Sequence, residues 1–128
     1  MNRNKDWLQY SEELIEIADI LMDKGKFSWS CFTSHQASSA ALKAILSLMD
    51  ESTFGDNLIA LLRKINGKYT IPDDVKQACH QVNDFFTKSR DLEGKTEGTP
   101  LNNFTIKDAN QAKASALALI RFAHHNSH

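Results

Sequence analysis

An all-α fold, an antiparallel up-and-down bundle of four long helices plus one short helix, is what this sequence predicts, on three observations. Apolar residues recur at the 3.6-residue helical period along nearly the whole chain. The strict period-2 alternation of strands is absent. The segments between periodic stretches are short, apart from one after Arg90, so successive helices must turn back on one another.

The first helix, about 17 residues long, opens near Trp7 and places Leu8, Ser11, Ile15, Ala18 and Met22 on one face. It ends at Asp23-Lys24-Gly25, where the glycine takes the left-handed cap. The second runs from about Ser28 to Asp50, with Phe32, Leu42, Ile45 and Met49 on its stripe, and its length makes it the spine. A short third helix fits Leu58, Leu61, Leu62 and Ile65, between Gly55 and Asn66-Gly67. The fourth starts at Pro72-Asp73-Asp74, with acidic residues at the positive end of the helix dipole, and its core face is Val75, Ala78, Cys79, Val82, Phe85 and Phe86. Residues 91–103 are rich in Gly, Thr and charge and read as a flexible loop of about 13 residues, longer than most helix connections. The last helix opens on Thr105-Ile106-Lys107-Asp108, an approximate capping box, and buries Ala109, Ala112, Ala116, Leu119, Ile120 and Ala123. With Ala114 and Ala118 alongside, it suits close packing against the second helix.

The chain has 128 residues, the size of one domain spanning 1–128. Its formal charge of -1 supplies no overall cationic field, so nucleic-acid binding would need a local basic patch. No stretch of about 18 apolar residues exists, and Met1 to Asp6 lead straight into a polar helix, which predicts a soluble, cytoplasmic protein without membrane contact. Cys31 and Cys79 are far apart and do not read as a metal site, and Cys79, on the apolar stripe of its helix, reads as a reduced core thiol. No Gly-rich phosphate loop, His-Glu-x-x-His, EF-hand loop or Gly-x-Ser-x-Gly is present, and the sequence predicts no metal and no cofactor.

The segment Phe32-Thr33-Ser34-His35-Gln36-Ala37-Ser38-Ser39-Ala40-Ala41-Leu42-Lys43-Ala44-Ile45-Leu46 carries the functional reading. Its small side chains let neighbouring backbones approach closely. The order Gln36-Ala37, then Ala40-Ala41-Leu42-Lys43-Ala44, preceded by an aromatic and a His-Gln pair, resembles the signature helix of the HEPN domain family of prokaryotes. Trp7, Ala18-Asp19, Gly25-Lys26-Phe27, Gly55-Asp56-Asn57-Leu58 and Ser89-Arg90 fall into the same ordered pattern over the whole chain.

Catalytic members of the resembled family place an arginine and then, roughly four to six residues on, a histidine, and act as metal-independent ribonucleases. The imidazole exchanges protons at the ribose and leaving oxygens, and the arginine stabilises phosphate charge. Here the matching arginine is Arg90, the one candidate catalytic residue, but the matching downstream positions hold Lys95, Thr96 and Glu97. None of these titrates like an imidazole near neutral pH. The chain also has Arg90-Asp91-Leu92 where relatives have Arg-Tyr-Pro, and Gly55-Asp56 where they have Gly-His. Arg121 and His128 reproduce the spacing by count, but His124, His125 and His128 read as a frayed tail that would hold no proton-transfer geometry.

The resemblance places Arg90, His35, Gln36, Lys43 and Lys95 as nucleotide- or phosphate-binding candidates. The plain readings beside it are an arginine at the negative end of the fourth helix, a structural histidine, and a lysine whose stem covers apolar surface. Trp29, Phe32, Phe54, Phe85, Phe86 and Phe104 exceed what one small bundle hides, which predicts a homodimer. In the resembled family such pairing brings both loop-end arginines toward one cleft. The resemblance thus implies a non-catalytic protein that binds nucleotide, RNA or a minimal nucleotidyltransferase in a toxin-antitoxin or defence system. Its alternatives are an endoribonuclease toxin with a substituted base, using Arg90, His35 and Asp91, and a helical scaffold without ligand.

Overall fold

Asn2 explains where the first helix begins. Its side-chain Oδ1 accepts the N–H of Asn4 at 2.8 Å, satisfying one of the donors that a helix start leaves open. Helix α1 therefore spans Asn4–Asp23, three residues longer at its start than the opening at Trp7 suggests. The computed structural model describes residues 2–51, 55, 57–85 and 104–127, with the backbone alone for 86–90. Phe54 and the 91–103 segment, Lys95 included, lie outside the described residues.

The remaining helices are α2, Phe27–Leu48; α3, Leu58–Asn66; α4, Asp73–Arg90; and α5, Ile106–His125. The described residues contain no strand. The C-termini of α1 and α2 close in the same way. After α1, Gly25 sits at φ +76°, its N–H donates to the Met22 carbonyl, and the Lys26 N–H donates to the Leu21 carbonyl at 2.8 Å. After α2, Asp50 sits at φ +55°, with Asp50 N–H to Ser47 O and Glu51 N–H to Leu46 O at 3.1 Å. The expected helix end at Asp50 is thus corrected to Leu48, because Asp50 has turned into the left-handed region. Asn57 caps α3 by accepting from the Ile59 and Ala60 N–H groups. Thr105 and Asp108 form the reciprocal capping box at the start of α5.

Sixteen of the 22 residues of α2 are buried, and it touches α1, α3, α4 and α5. It is the spine that its length suggested. Small residues make this possible: Ala37, Ala41 and Ala44 are fully buried and let helices pass at close range. The Ser30 hydroxyl donates to the Ala18 carbonyl at 2.7 Å, and the Asn4 amide donates to the Ala44 carbonyl at 2.9 Å. These two bonds fix an antiparallel α1/α2 register, with Ala18 opposite Ser30 and Asn4 opposite Ala44.

The main core joins Leu42, Ile45 and Leu46 of α2 to Leu58 and Ile65 of α3, Val75, Cys79 and Val82 of α4, and Leu119 and Ala123 of α5. A second cluster closes the other end of the molecule, where Cys31, Phe104, Ala109 and Ala112 meet Met22, Phe27 and Phe85. That end gathers the C-terminus of α1, the N-terminus of α2, the second half of α4 and the start of α5. No helix among the described residues is long and apolar enough to cross a membrane.

Candidate functional site

The signature segment lies on α2, and how α2 is packed decides which of its side chains can meet a ligand. His35 is completely buried. Gln36, half-buried, holds its Nε2 3.5 Å from His35 Nδ1, a long contact in which the amide donates when that ring nitrogen carries no proton. His35 therefore belongs to the interior, and of the His-Gln pair only Gln36 is partly exposed. The reason is that α2 is enclosed on nearly every side, so its periodicity marks no outer face for a histidine to occupy.

The least buried strip of α2 is Trp29, Phe32, Gln36 and Lys43. Trp29 and Phe32 meet edge to face with ring centroids 6.1 Å apart, and Trp29 remains 50% exposed. Lys43 is half-buried and lays its Nζ over the Trp7 ring of α1, 5.3 Å from the centroid. Trp7 in turn contacts Tyr10, with centroids 6.2 Å apart. Lys43 thus covers an aromatic surface, as its plain reading holds, and the partner is one that local sequence could not name.

Arg90 closes α4, five positions beyond Phe85, which packs into the second cluster. The backbone puts Arg90 at the same end of the molecule as Trp29 and the α1–α2 turn, two turns of α2 beyond Gln36, while Lys43 lies toward the opposite end. A cation at the last residue of a helix sits favourably in the dipole field. Of the five expected binding residues, Arg90 and Lys43 lie toward opposite ends of the described bundle, and the Arg90 side chain lies outside the described residues. His35 is interior, Lys43 is engaged with Trp7, and Lys95 is outside the described residues.

Two further expectations change. His124 and His125 are not part of a frayed tail: α5 runs to His125, His124 Nε2 meets Glu12 Oε1 of α1 at 2.6 Å, and the Asn4 amide donates to the Ser127 hydroxyl at 2.8 Å, while His128 lies outside the described residues. No Gly or Pro interrupts the sequence before Asn126, and contacts across the bundle hold the last turn. Of the aromatic residues expected to need a partner, Phe104 is buried within the chain, Phe32 and Phe85 are half-buried, and Trp29 is open. Cys31 and Cys79 are both buried, and the apolar surroundings push the Cys79 thiol up to about 12. Among the described residues no group of three or more His, Cys, Asp or Glu could hold a metal.

The residues that sequence reasoning missed are on α1. Tyr10, Ile17 and Ile20 are 48%, 45% and 55% exposed, on the side away from the core stripe. The signal was present as a second apolar series, Trp7, Tyr10, Leu14, Ile17 and Leu21, at alternating spacings of three and four.

A family model described as HEPN domain matches residues 4–126. Among solved structures, TT1696 from Thermus thermophilus superposes with a TM-score of 0.90 at 24% identity, covering 98% of this chain and 99% of that one. An archaeal HEPN homologue gives 0.79 at 22%, covering 98% of each. A HEPN domain protein of Thermotoga maritima gives 0.75 at 21%, covering 94% of this chain and 95% of that one. At these identities the likeness is one of fold. None of the curated proteins matches the chain.

Proposed function

The chain belongs to the HEPN domain family, and from that premise we propose that it is a non-catalytic member acting through binding. It works in the cytoplasm as a homodimer and pairs with a minimal nucleotidyltransferase in a two-gene toxin-antitoxin or defence arrangement. Its ligand is a nucleotide or RNA phosphate held at Arg90. One observation carries the reading: the positions where a catalytic member would place its histidine hold Lys95, Thr96 and Glu97. Lysine can neutralise a phosphate but is a poor proton acceptor at neutral pH. His35, the other imidazole near the signature, is enclosed by protein and gives no substitute base that a ribose could reach.

The test is incubation of purified protein with a mixed, labelled RNA pool in EDTA, beside an Arg90→Ala variant, scored for cleavage and for gel shift. Intact RNA with a shift lost in the variant is the expected result. Metal-independent cutting that disappears in Arg90→Ala would overturn the non-catalytic reading and make the protein an endoribonuclease with a substituted base.

A further inference from the structure

The outward side of α1 sets open apolar side chains among open carboxylates. Tyr10, Ile17 and Ile20 are 48%, 45% and 55% exposed, and among the described residues Trp29 and Ile106 are the other large apolar side chains left open. Tyr10, Glu13, Ile17 and Ile20 follow one another at helical steps of three and four, and Glu16 and Asp23 lie one such step from Glu13 and Ile20. All six are exposed, so they form one outward strip.

The charge of this strip is one-sided. Residues 6–23 hold Asp6, Glu12, Glu13, Glu16, Asp19 and Asp23 and no lysine or arginine, in a chain whose formal charge is only -1. Three of these acids are used within the chain: Asp6 pairs with Arg3, Glu12 meets His124 and Asp19 meets Lys113, the last two reaching across to α5. Glu13, Glu16 and Asp23, the three on the strip, form no ion pair with any described residue. Their placement does not serve the helix. Glu12 and Glu16 repel at a spacing of four, as do Asp19 and Asp23, and Glu13 and Glu16 repel at three. Asp23 ends α1 at the negative pole of its dipole, and the last turn holds no basic residue to offset it. A cationic, partly apolar partner would relieve both the repulsion and the exposure.

We infer that this strip docks a basic amphipathic helix of a partner protein. The partner's apolar residues pack on Tyr10, Ile17 and Ile20, and its lysines or arginines reach Glu13, Glu16 and Asp23. A second copy of the strip would bring the same carboxylates and, between residues 6 and 23, no cation to meet them. Phosphates and anionic lipid are repelled for the same reason. The backbone of α1 is hydrogen-bonded within its own helix, so an extended segment finds no ladder to join, whereas a helix can pack ridge into groove. Tyr10 to Asp23 spans about 20 Å, the length of three to four turns of such a helix. The inference goes beyond the Arg90 reading and uses none of its residues.

The probe is a labelled synthetic peptide of about 18 residues, with leucines along one helical face and lysines on the other, read by fluorescence anisotropy. Its control has the same composition with the leucines spread around the helix. The wild type should bind the amphipathic peptide about tenfold more tightly than the control, and less tightly as salt rises. Ile17→Ser/Ile20→Ser and Glu13→Lys/Glu16→Lys should each weaken binding about tenfold, with circular dichroism and mass by light scattering unchanged. The charge-reversed variant should in turn bind a peptide whose lysines are replaced by glutamates, a gain that misfolding cannot produce. Equal binding of peptide and control, or binding that neither variant weakens, would overturn the inference. So would a change of mass in Ile17→Ser/Ile20→Ser, which would give the strip to a second copy, or loss of an RNA gel shift in that variant, which would give it to nucleic acid.

Discussion

Helices α1 and α2 are nearly equal in length, at 20 and 22 residues, and lie side by side, yet they dispose of their side chains in opposite ways. In α2 small residues are turned inward on almost every side, so burial comes from close backbone approach rather than from side-chain bulk. In α1 large residues are turned outward: Tyr10, Ile17 and Ile20 stay in water while the helix packs its own chain with a narrower stripe. The two helices show that the apolar content of a helix does not reveal what it packs against. A helix enclosed by four neighbours needs little volume, and a helix with a second apolar series can bury part of it, as Trp7 and Leu14 do, and leave part of it open, as Tyr10 and Ile17 do.

The contrast breaks most sharply if an inward residue can be lost without cost. Leu42→Ala should lower unfolding free energy by about 2–5 kcal/mol, because Leu42 is fully buried and the surrounding helices cannot close the gap completely. Chemical denaturation of that variant beside Ile17→Ala, measured where both are monomeric, should leave the outward change within about 0.5 kcal/mol. Overpacking probes the same difference from the other side. Ala41→Leu should cost about 1–3 kcal/mol, since a methylated branch has no space where α2 is crossed at close range.

A third comparison uses pH. The folded Cys79 thiol titrates at about 12 against an ordinary 9.0, so the native state disfavours the thiolate. Its contribution is fully present below pH 9 and is lost as pH rises toward 12, where the unfolded chain releases the proton first. Denaturation midpoints between pH 9 and 11 should fall more steeply for the wild type than for Cys79→Ala; equal slopes would show that the thiol is not held in an apolar site. The smallest effects are expected at the matched helix ends. Gly25→Ala should destabilise and Asp50→Gly should stabilise, each by about 1 kcal/mol, because both positions sit at positive φ and only one carries glycine. Thermal melts that move in the same direction for both would contradict that account.

Much of the fold was legible in the residues. Val75, Ala78, Cys79 and Val82 recur at helical spacing behind Asp73-Asp74, and α4 buries those four. Thr105 and Asp108 marked the start of α5 because the cap is a local chemical event. The end of α2 was less legible, since aspartate is not the residue that ordinarily adopts the left-handed conformation found at Asp50. The site was less legible still, because its contacts are non-local. Lys43 covers Trp7, and His124 reaches Glu12, only once the antiparallel registers are set. His35 could not be assigned to the interior by pattern, because a helix buried all round has no polar side against which to judge it. The exposed Tyr10 and Ile17 of α1 were part of a legible second series but lay in the shadow of the stronger inward stripe.

The enclosure of α2 also fixes how the molecule opens. Helices α1, α3, α4 and α5 each rest against it, so its backbone amides become accessible to solvent only when those neighbours separate. Local fraying that frees the ends of α1 or α5 leaves the middle of α2 untouched. In deuterated water the amides around Ala41 and Leu42 should therefore be the last to exchange, and their rate reports the free energy of unfolding the bundle rather than of bending any part of it.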